Sequence, residues 1–372
     1  MNKTSVLQRL NHTFSLGTLF SIPFKLHWSI IPFFAVIPWM AYRNHMSMTD
    51  SLLLLLLMIL VLGSVLLHEL GHAGAANLLG VKTHDILLSP IGGIARLEKM
   101  PEEPIEEFKI AIAGPLVNLL IFTVIAGPIL LLAYVNIVEI DWTMNNLAQP
   151  VVFLSLLAIS NFILFLFNLV PAFPMDGGRI LRAFLASRMS RQKATKIASL
   201  IGKVLAAVLM ILGVVYTRPI WTLIGIFVFL MADMENRQEQ ETHKLRQFFA
   251  SAICTQDYKD VKLYTPMLEL IQMHFSSDER NFIVRDQQNK ITGIIYPAIL
   301  DDAMRIKENI QPVASYVTNR YAIVNVQDDA LQIYDALIKA DMPLALVMDY
   351  GELYGVIEPD RLLDVMRKKE IA

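Results

Sequence analysis

Two histidines and a glutamate have the spacing that metal chemistry requires. His68, Glu69 and His72 lie within the apolar stretch SVLLHELGHAGAANLLG. Residues four apart share one face of a helix, so both imidazoles can bind one metal ion while Glu69 stands beside them as a general base. Catalytic zinc takes three protein ligands and keeps one position for water. The pattern therefore predicts metal-assisted hydrolysis at a single zinc ion.

A chance match is the competing interpretation of this motif. At average residue frequencies, three fixed positions coincide in roughly one chain in a hundred of this length. The apolar surroundings weaken the chance interpretation, because ionisable groups inside membrane-spanning segments are costly and usually functional. We therefore predict that His68 and His72 bind the metal and that Glu69 is catalytic.

Asp176 is the best candidate for the third metal ligand. It lies in the stretch NLVPAFPMDGGR, after an apolar segment and two prolines that break a helix. Two glycines follow it and permit a tight backbone path. The alternative is a helix N-cap, a position that favours Asp. Because the two-histidine motif lacks one ligand, we predict that Asp176 completes the site.

The composition indicates a membrane protein. The chain has 372 residues, of which 55% are hydrophobic and only 18% are charged, whereas about 25% are charged in an average soluble protein. The formal net charge of −2 gives no basic field for nucleic acid. A single cysteine, Cys254, excludes an intramolecular disulfide framework and a cysteine-based zinc finger.

The apolar segments predict six transmembrane helices in residues 1–236 and a soluble domain in residues 237–372. A spanning helix needs about 20 apolar residues. The six predicted segments are 26–42, 51–79, 110–135, 148–170, 197–216 and 219–234. Residues 83–97 are too short to span and alternate like strands around Gly92 and Gly93, so they predict a re-entrant β-hairpin that packs on protein or lines a wet cavity.

The positive charges predict the orientation in the cell membrane. Cytosolic loops carry an excess of Lys and Arg. One side holds Lys3, Arg9, Lys25, Lys82, Arg96, Lys99, Lys109, Arg179, Arg182, Arg188, Arg191, Lys193 and Lys196. The opposite side holds only Arg43 and Arg218. Both termini are therefore expected in the cytosol, and the chain crosses the membrane several times.

Three motifs in this order resemble the site-2 protease family, peptidase M50. They are the HELGH sequence, AGPLVN at residues 113–118, and NLVPAFPMDGG at residues 168–178. The resemblance covers residues 15–235. The domain that follows resembles that of the subgroup with a C-terminal CBS pair, which is related to the sporulation pro-sigma-factor protease. It implies an intramembrane zinc metalloprotease that hydrolyses membrane-spanning or membrane-tethered proteins in regulated intramembrane proteolysis. The family's usual leucine before Asp-Gly is Met175 here.

The resemblance also implies roles for three residues outside the metal motif. Asn161 would polarise the scissile carbonyl or hold the oxyanion, although an interhelical hydrogen bond explains it slightly better. Gly92 and Gly93 resemble the family's hairpin turn, whose edge would pair with an unwound substrate. An ordinary turn explains these glycines equally well.

The soluble tail contains an internal repeat. Residues 281–286 and 290–295 form one strand, turn and strand pattern, and residues 345–349 and 353–357 form another. The repeat resembles a cytosolic α/β tandem CBS module. CBS pairs that bind adenine nucleotides carry Ser/Thr-x-x-Asp after the second strand, and this chain carries YPAI and EPDR there instead. Nucleotide binding is therefore not predicted, and a structural or homodimer-forming role stands in its place.

Two other functions fit parts of the pattern. A transport protein would use the histidines and aspartate as a permeation site, yet it needs no glutamate beside them. An inactive membrane chaperone of the same fold would be expected to lose a ligand or the base, and none is lost. The retained Glu69 favours the enzyme, whose partners are the lipid bilayer and a membrane protein substrate.

Overall fold

The computed structural model describes residues 13–19, 22–89, 92–98, 100–135, 137, 147–277, 280–305 and 311–367. The chain divides into two compact units, Met1–Arg237 and Gln238–Ala372. The membrane-like composition is confined to the first unit, whose long helices are described next.

The structure describes seven helices that begin in the first unit, and five of them could cross a membrane. They are α1 (Ile30–Arg43), α2 (Met48–Leu78), α3 (Pro104–Tyr134), α4 (Pro150–Asn168), α5 (Asp176–Ala186), α6 (Arg191–Val215) and α7 (Pro219–Leu245). By length and composition, α2, α3, α4, α6 and α7 are the five candidates for membrane spans. Their length matches the roughly 20 residues that a bilayer requires.

The first predicted span is shorter than expected. Helix α1 has 14 residues and is therefore about 21 Å long at 1.5 Å per residue, against a hydrocarbon core of about 30 Å. It begins at Ile30 because the preceding residues Ile22–His27 form a strand. Among the described residues, five spans have the necessary length, and the sixth stays a prediction.

A four-stranded sheet lies beside the first long helices. Its strands are β1 (Thr13–Leu19), β2 (Ile22–His27), β3 (Thr83–Ser89) and β4 (Gly92–Leu97), in the order β1-β2-β3-β4. Strands β2 and β3 pair in parallel, and the other two pairs are antiparallel. The predicted turn at residues 90–91 lies outside the described residues, whereas Gly92 and Gly93 begin β4, an edge strand of the described sheet.

The sheet buries its apolar side chains against α2. Ile86 and Leu88 of β3 are buried together with Ala73 of α2 and Ile30 of α1. On β3, Asp85 accepts two hydrogen bonds from Arg96 at 2.5 Å each and one from Lys25 at 2.7 Å. These ion pairs join β2, β3 and β4, and the apolar contacts pack the joined strands against α2.

Small residues let α2 and α3 approach closely. A Cβ atom added to Gly71 would lie 2.9 Å from the Ala113 carbonyl oxygen and 2.8 Å from Val117 Cγ2. Such contacts require glycine, as is common where membrane helices cross. The close crossing brings the motif on α2 directly against residues 110–118 of α3.

The second unit contains the predicted repeat. The first copy has strands β5 (Tyr258–Lys262), β6 (Asn281–Arg285) and β7 (Ile291–Ile295), and the second has β8 (Ala322–Asn325), β9 (Ala345–Asp349) and β10 (Glu352–Ile357). In each copy the first strand is parallel to the second and the second is antiparallel to the third. The helices are α8 (Ala250–Ile253), α9 (Met267–Ser277), α10 (Pro297–Arg305), α11 (Ala330–Tyr334) and α12 (Pro359–Arg367).

Candidate metal centre

The two histidines lie on the buried face of α2. Their Nε2 atoms are 3.1 Å apart, and the side chains of Ser64, His68 and His72 follow one another at intervals of four residues on that face. His68 and His72 are 5% and 6% exposed. A single ion can therefore contact both imidazoles, as the helical spacing predicts.

Asp176 reaches the same point from another helix. Its Oδ2 lies 3.1 Å from His68 Nε2 and 3.2 Å from His72 Nε2. Asp176 is the first residue of α5, and the N-cap position belongs to Met175, so the side chain does not serve as an N-cap. In the part of the chain that the structure describes, these three residues form the one cluster of His, Cys, Asp and Glu side chains suited to a metal ion.

Glycines after Asp176 allow the chain to turn toward the histidines. A Cβ atom on Gly177 would overlap the carbonyl oxygens of Leu169 and Val170. A Cβ atom on Gly178 would lie 2.7 Å from the Phe173 nitrogen. The tight loop between α4 and α5 therefore requires both glycines and delivers Asp176 to the metal centre.

The three donor atoms fit zinc. An ion with bonds of about 2.0–2.1 Å in tetrahedral geometry holds its ligands roughly 3.3 Å apart. The three observed separations are 3.1, 3.1 and 3.2 Å. Two imidazoles and a carboxylate are also a donor set that zinc accepts, with the fourth position left for water.

A chain of side-chain amides orients His68. Its Nδ1 lies 2.5 Å from Asn118 Oδ1, and Asn118 donates to Asn161 Oδ1 at 3.0 Å. Asn161 in turn donates to Ser64 Oγ at 3.2 Å and to the Leu157 carbonyl at 2.9 Å. When His68 donates through Nδ1, its Nε2 lone pair is directed at the cluster, which is the arrangement typical of metal-binding histidines.

His72 is oriented by backbone instead. Its Nδ1 donates to the Ile110 carbonyl of α3 at 2.7 Å, which likewise leaves the Nε2 lone pair for the metal. One turn further along α3, a Cβ atom on Gly114 would overlap His72 Nε2 and lie 2.8 Å from His68 Nε2. Helix α3 therefore both orients the histidines and leaves room for them.

Glu69 lies between α2 and the edge of the sheet. Its Oε2 accepts a hydrogen bond of 2.8 Å from the backbone nitrogen of Ala95 on β4. A Cβ atom on Gly93 would overlap the Glu69 side chain and lie 2.8 Å from Oε1. The whole residue Glu69 is 8% exposed. Its carboxylate is held by β4, and Glu69 directly follows His68 in the sequence.

Comparison with known proteins identifies the family. Residues 56–212 match Peptidase family M50. A zinc metalloprotease of Methanocaldococcus jannaschii is 40% identical over 364 residues, which cover 97% of this chain and 98% of that protein.

The chain belongs to peptidase family M50, the site-2 proteases. Stage IV sporulation protein FB of Bacillus subtilis is 31% identical over 190 residues, covering 48% of this chain and 58% of that protein. The solved site-2 protease from Methanocaldococcus jannaschii is 38% identical and covers 60% of this chain and 95% of its own, with a TM-score of 0.44. A CBS domain-containing protein of Kribbella flavida is 16% identical and covers 32% and 99%, with a TM-score of 0.26.

Membership of the M50 family confirms the resemblance that the three motifs indicate. The chain is a zinc metalloprotease of the site-2 protease family and has helices suited to a membrane. The structure brings the predicted residues His68, His72 and Asp176 together, with Glu69 beside them. Gly93 lies against Glu69, and Asn161 forms hydrogen bonds between helices.

Several residues that support this M50 site were not predicted from the sequence. Asn118 belonged to the AGPLVN motif without a role of its own, and it makes an interhelical hydrogen bond to His68. Ser64 and the Ile110 carbonyl were not singled out, although Ser64 lies four residues before His68. The AGPLVN motif could have indicated Gly114 and Asn118, because it places a small residue and a polar residue four positions apart on one apolar helix.

Proposed function

We propose that this chain cleaves membrane-spanning or membrane-tethered proteins within the bilayer, in regulated intramembrane proteolysis, using one zinc ion per chain. The observation that carries the proposal is the buried cluster of His68, His72 and Asp176. Two of its three members lie on α2, a helix long and apolar enough to cross a membrane. A peptide bond that reaches this cluster must come from a protein in or at the membrane.

The three clustered residues and Glu69 have different roles in the proposed reaction. His68, His72 and Asp176 would hold zinc, which supplies Lewis acidity and lowers the pKa of a water molecule to about 7. Glu69 would take a proton on its carboxylate as water attacks the scissile carbonyl, and would then give it to the leaving amine. The Ala95 N–H holds the Glu69 carboxylate on the α2 side of β4, so the base has a fixed orientation.

The edge of β4 is suited to binding an extended peptide. The Ala95 N–H is directed away from β3, since it bonds Glu69. Backbone groups alternate along a strand, so those of Gly93 lie at the same edge. We assign Gly92 and Gly93 to strand addition, with the backbone groups of Gly93 at this edge and the Ala95 N–H kept by Glu69, which would place an unwound substrate next to Glu69. The absence of side chains at both glycines allows the substrate backbone a close approach.

Asn161 is better assigned to supporting the metal centre than to the oxyanion. It is fully buried, and its amide nitrogen donates to Ser64 and to the Leu157 carbonyl. Its carbonyl oxygen accepts from Asn118. These hydrogen bonds use its polar atoms within the helices, so its contribution is to hold Asn118 against His68.

The arrangement in the cell membrane follows from charge. Six crossings, with the excess of Lys and Arg on the cytosolic side, would place both termini in the cytosol. Residues 1–236 would form the membrane-embedded protease and residues 237–372 the cytosolic tandem CBS domain. The CBS pair would serve as a structural or homodimer-forming module, since the strand ends at Tyr296 and Glu358 lack the residues that hold a nucleotide ribose.

The decisive experiment pairs metal content with cleavage of one tagged single-span substrate. Glu69→Gln keeps the side-chain shape and the acceptor for Ala95 but removes the base, so the variant should bind zinc normally and cleave at least about 100-fold more slowly. Asp176→Asn should lose zinc, because a neutral amide is a poor zinc ligand. Cleavage by Glu69→Gln at the wild-type rate would reject Glu69 as the base, whereas no cleavage by the zinc-loaded wild type would favour a transport function.

A further inference from the structure

A buried ion-pair cluster joins α3, α5, α6 and α7, and two of these helices, α3 and α5, also carry residues of the metal centre. Glu107 of α3 is fully buried and bonds Arg182 through Oε1, at 2.6 and 2.8 Å, and Arg191 through Oε2, at 2.6 Å. Arg182 of α5 also bonds Glu235 of α7 at 2.7 Å. Buried charges are tolerated only when they are paired, and two carboxylates balance two guanidinium groups here.

Arg182 is connected to Asp176 in two ways. Both lie on α5, six residues apart, which is about 9 Å along the helix. The Arg182 guanidinium also lies 5.1 Å from the ring centroid of Phe173, a buried residue of the loop that leads into Asp176. Arg182 therefore holds the helix that carries Asp176 and the loop before it.

The charges around Arg182 keep it ionised. Burial alone would lower the pKa of Arg182, but the carboxylates of Glu107 and Glu235 outweigh burial and raise that pKa above its ordinary value. The guanidinium is 4% exposed and the Glu107 carboxylate is fully buried, whereas the Glu235 side chain is 31% exposed. Glu235 is therefore the member of the cluster that can be changed with the least disturbance of the protein interior.

We propose that Arg182 is a positioning residue for the metal centre and that its ion pair with Glu235 sets how firmly Asp176 is held on zinc. The proposal rests on the assignment of Asp176 as a zinc ligand. Helix α7 carries Glu235 and continues past the end of the first unit at Arg237. The residue that would influence the position of Asp176 therefore lies on the helix that continues into the C-terminal unit.

The same helix offers a matched control. Asp233 of α7 pairs with Lys203 of α6 and with Arg237 at 2.7 Å. Its side chain is 26% exposed, close to that of Glu235. Lys203 lies on α6 and Arg237 lies on α7, so these ion pairs of Asp233 do not involve α5. Asp233→Asn therefore removes the same charge from the same part of α7 without releasing Arg182.

The test measures zinc affinity of the full-length chain by competition with a chelator. Glu235→Gln should weaken zinc binding roughly fivefold or more, because α5 is held from one side only. Cleavage at limiting zinc should fall in parallel and recover at saturating zinc. Asp233→Asn should change neither quantity. A loss of folded protein alone would lower the amount of zinc bound but not the affinity, so a merely structural role gives a different result.

A second variant tests the pair itself. Arg182→Lys keeps the charge but cannot bond Glu107 through two nitrogens and Glu235 at once. It should weaken zinc binding, and adding Glu235→Gln to it should have less effect than in the wild type, since interacting residues are not additive. Glu235→Asp should retain more affinity than Glu235→Gln.

The outcomes separate this inference from the proposed function. Wild-type zinc affinity in Glu235→Gln, together with weak binding in Asp176→Asn, would overturn the coupling alone. Equal weakening by Glu235→Gln and Asp233→Asn would also overturn it, as a general effect of charge. Undiminished affinity in Asp176→Asn would reject Asp176 as a ligand, and the coupling would be rejected with it.

Discussion

The two histidines that we propose as metal ligands are oriented by different kinds of partner. His68 depends on a side chain, Asn118, whereas His72 depends on the backbone carbonyl of Ile110. A substitution can remove the first partner but not the second. Removal of a hydrogen-bonding side chain should therefore affect the orientation of His68 and not that of His72.

Removal of Asn118 tests the orientation of His68. Asn118→Ala should weaken zinc affinity by about 10- to 100-fold, the usual effect of losing a hydrogen bond to a ligand. Equilibrium competition with a chelator measures the change. Asn168→Ala is the control, because the Asn168 amide donates to the Leu164 carbonyl one turn earlier in α4 and not to a metal ligand. Equal affinities in the two variants would show that Asn118 does not orient His68.

Gly114 provides a steric test of the same centre. In Gly114→Ala, the new Cβ would overlap His72 Nε2 and lie 2.8 Å from His68 Nε2, so the histidines must move and zinc should be lost from the purified protein. Gly127→Ala on the same helix meets nothing within 4 Å and should bind zinc normally. Zinc retained in Gly114→Ala would contradict the close packing of α3 on the histidines.

Some of these residues could be identified from the sequence and others could not. The interval from His68 to His72 is a helical turn, so their shared face follows from local geometry. The Asn118 contact depends on where α3 crosses α2, and the crossing is fixed by Gly71 against Ala113. Interhelical contacts of this kind join residues 50 positions apart, so local periodicity does not reveal them.

At the level of elements, β4 links Glu69, the proposed base, to the sheet. Asp85 ties β3 to β2 through Lys25 and to β4 through Arg96. Burial would raise the pKa of Asp85, but hydrogen bonds from Arg96 and Lys25 outweigh it and lower this pKa. These ion pairs hence persist at neutral pH, and the stability they contribute is lost only as the pH falls toward the lowered pKa.

Gly93 tests whether β4 positions the catalytic base. In Gly93→Ala the new Cβ would overlap the Glu69 side chain, so the carboxylate must leave its place beside Ala95. Cleavage should fall by at least about tenfold, equivalent to roughly 1.4 kcal/mol, while zinc content stays normal because Gly93 does not contact the ligands. Gly74→Ala on α2, where nothing lies within 4 Å, should cleave normally. Normal cleavage by Gly93→Ala would separate β4 from the function of Glu69.

The elements were predicted best where composition decides them. Five of the six predicted spans correspond to long helices on composition alone, but the segment 26–42 is divided between β2 and α1. This boundary between strand and helix could not be predicted from the local sequence, because β2 is stabilised by parallel pairing with β3, some 60 residues later. Pairing between distant strands also explains why the four-stranded order of the sheet was not predicted.

On the scale of the whole molecule, the chain combines a membrane-like unit with a repeat of ordinary composition. The repeat in residues 281–295 and 345–357 was visible because both copies carry the same strand, turn and strand pattern. The two copies share a core of Ile283, Ile294, Leu344, Leu346 and Val356. Each copy alone would expose half of that core, so the copies are expected to fold together.

Reporter fusions test how the chain is threaded through the membrane. Helices α4 and α6 and the apolar first part of α7 lie between Ile137 and residue 240, and three crossings place those positions on opposite sides. The charge bias puts residue 240 in the cytosol. A third reporter, ahead of Thr13, tests whether α1 spans the membrane. If this reporter lies on the same side as residue 240, then α1, α2 and α3 must all cross before Ile137. Reporters at 137 and 240 on one side would refute the three crossings. A reporter ahead of Thr13 on the side of Ile137 would show that the 14 residues of α1 do not span.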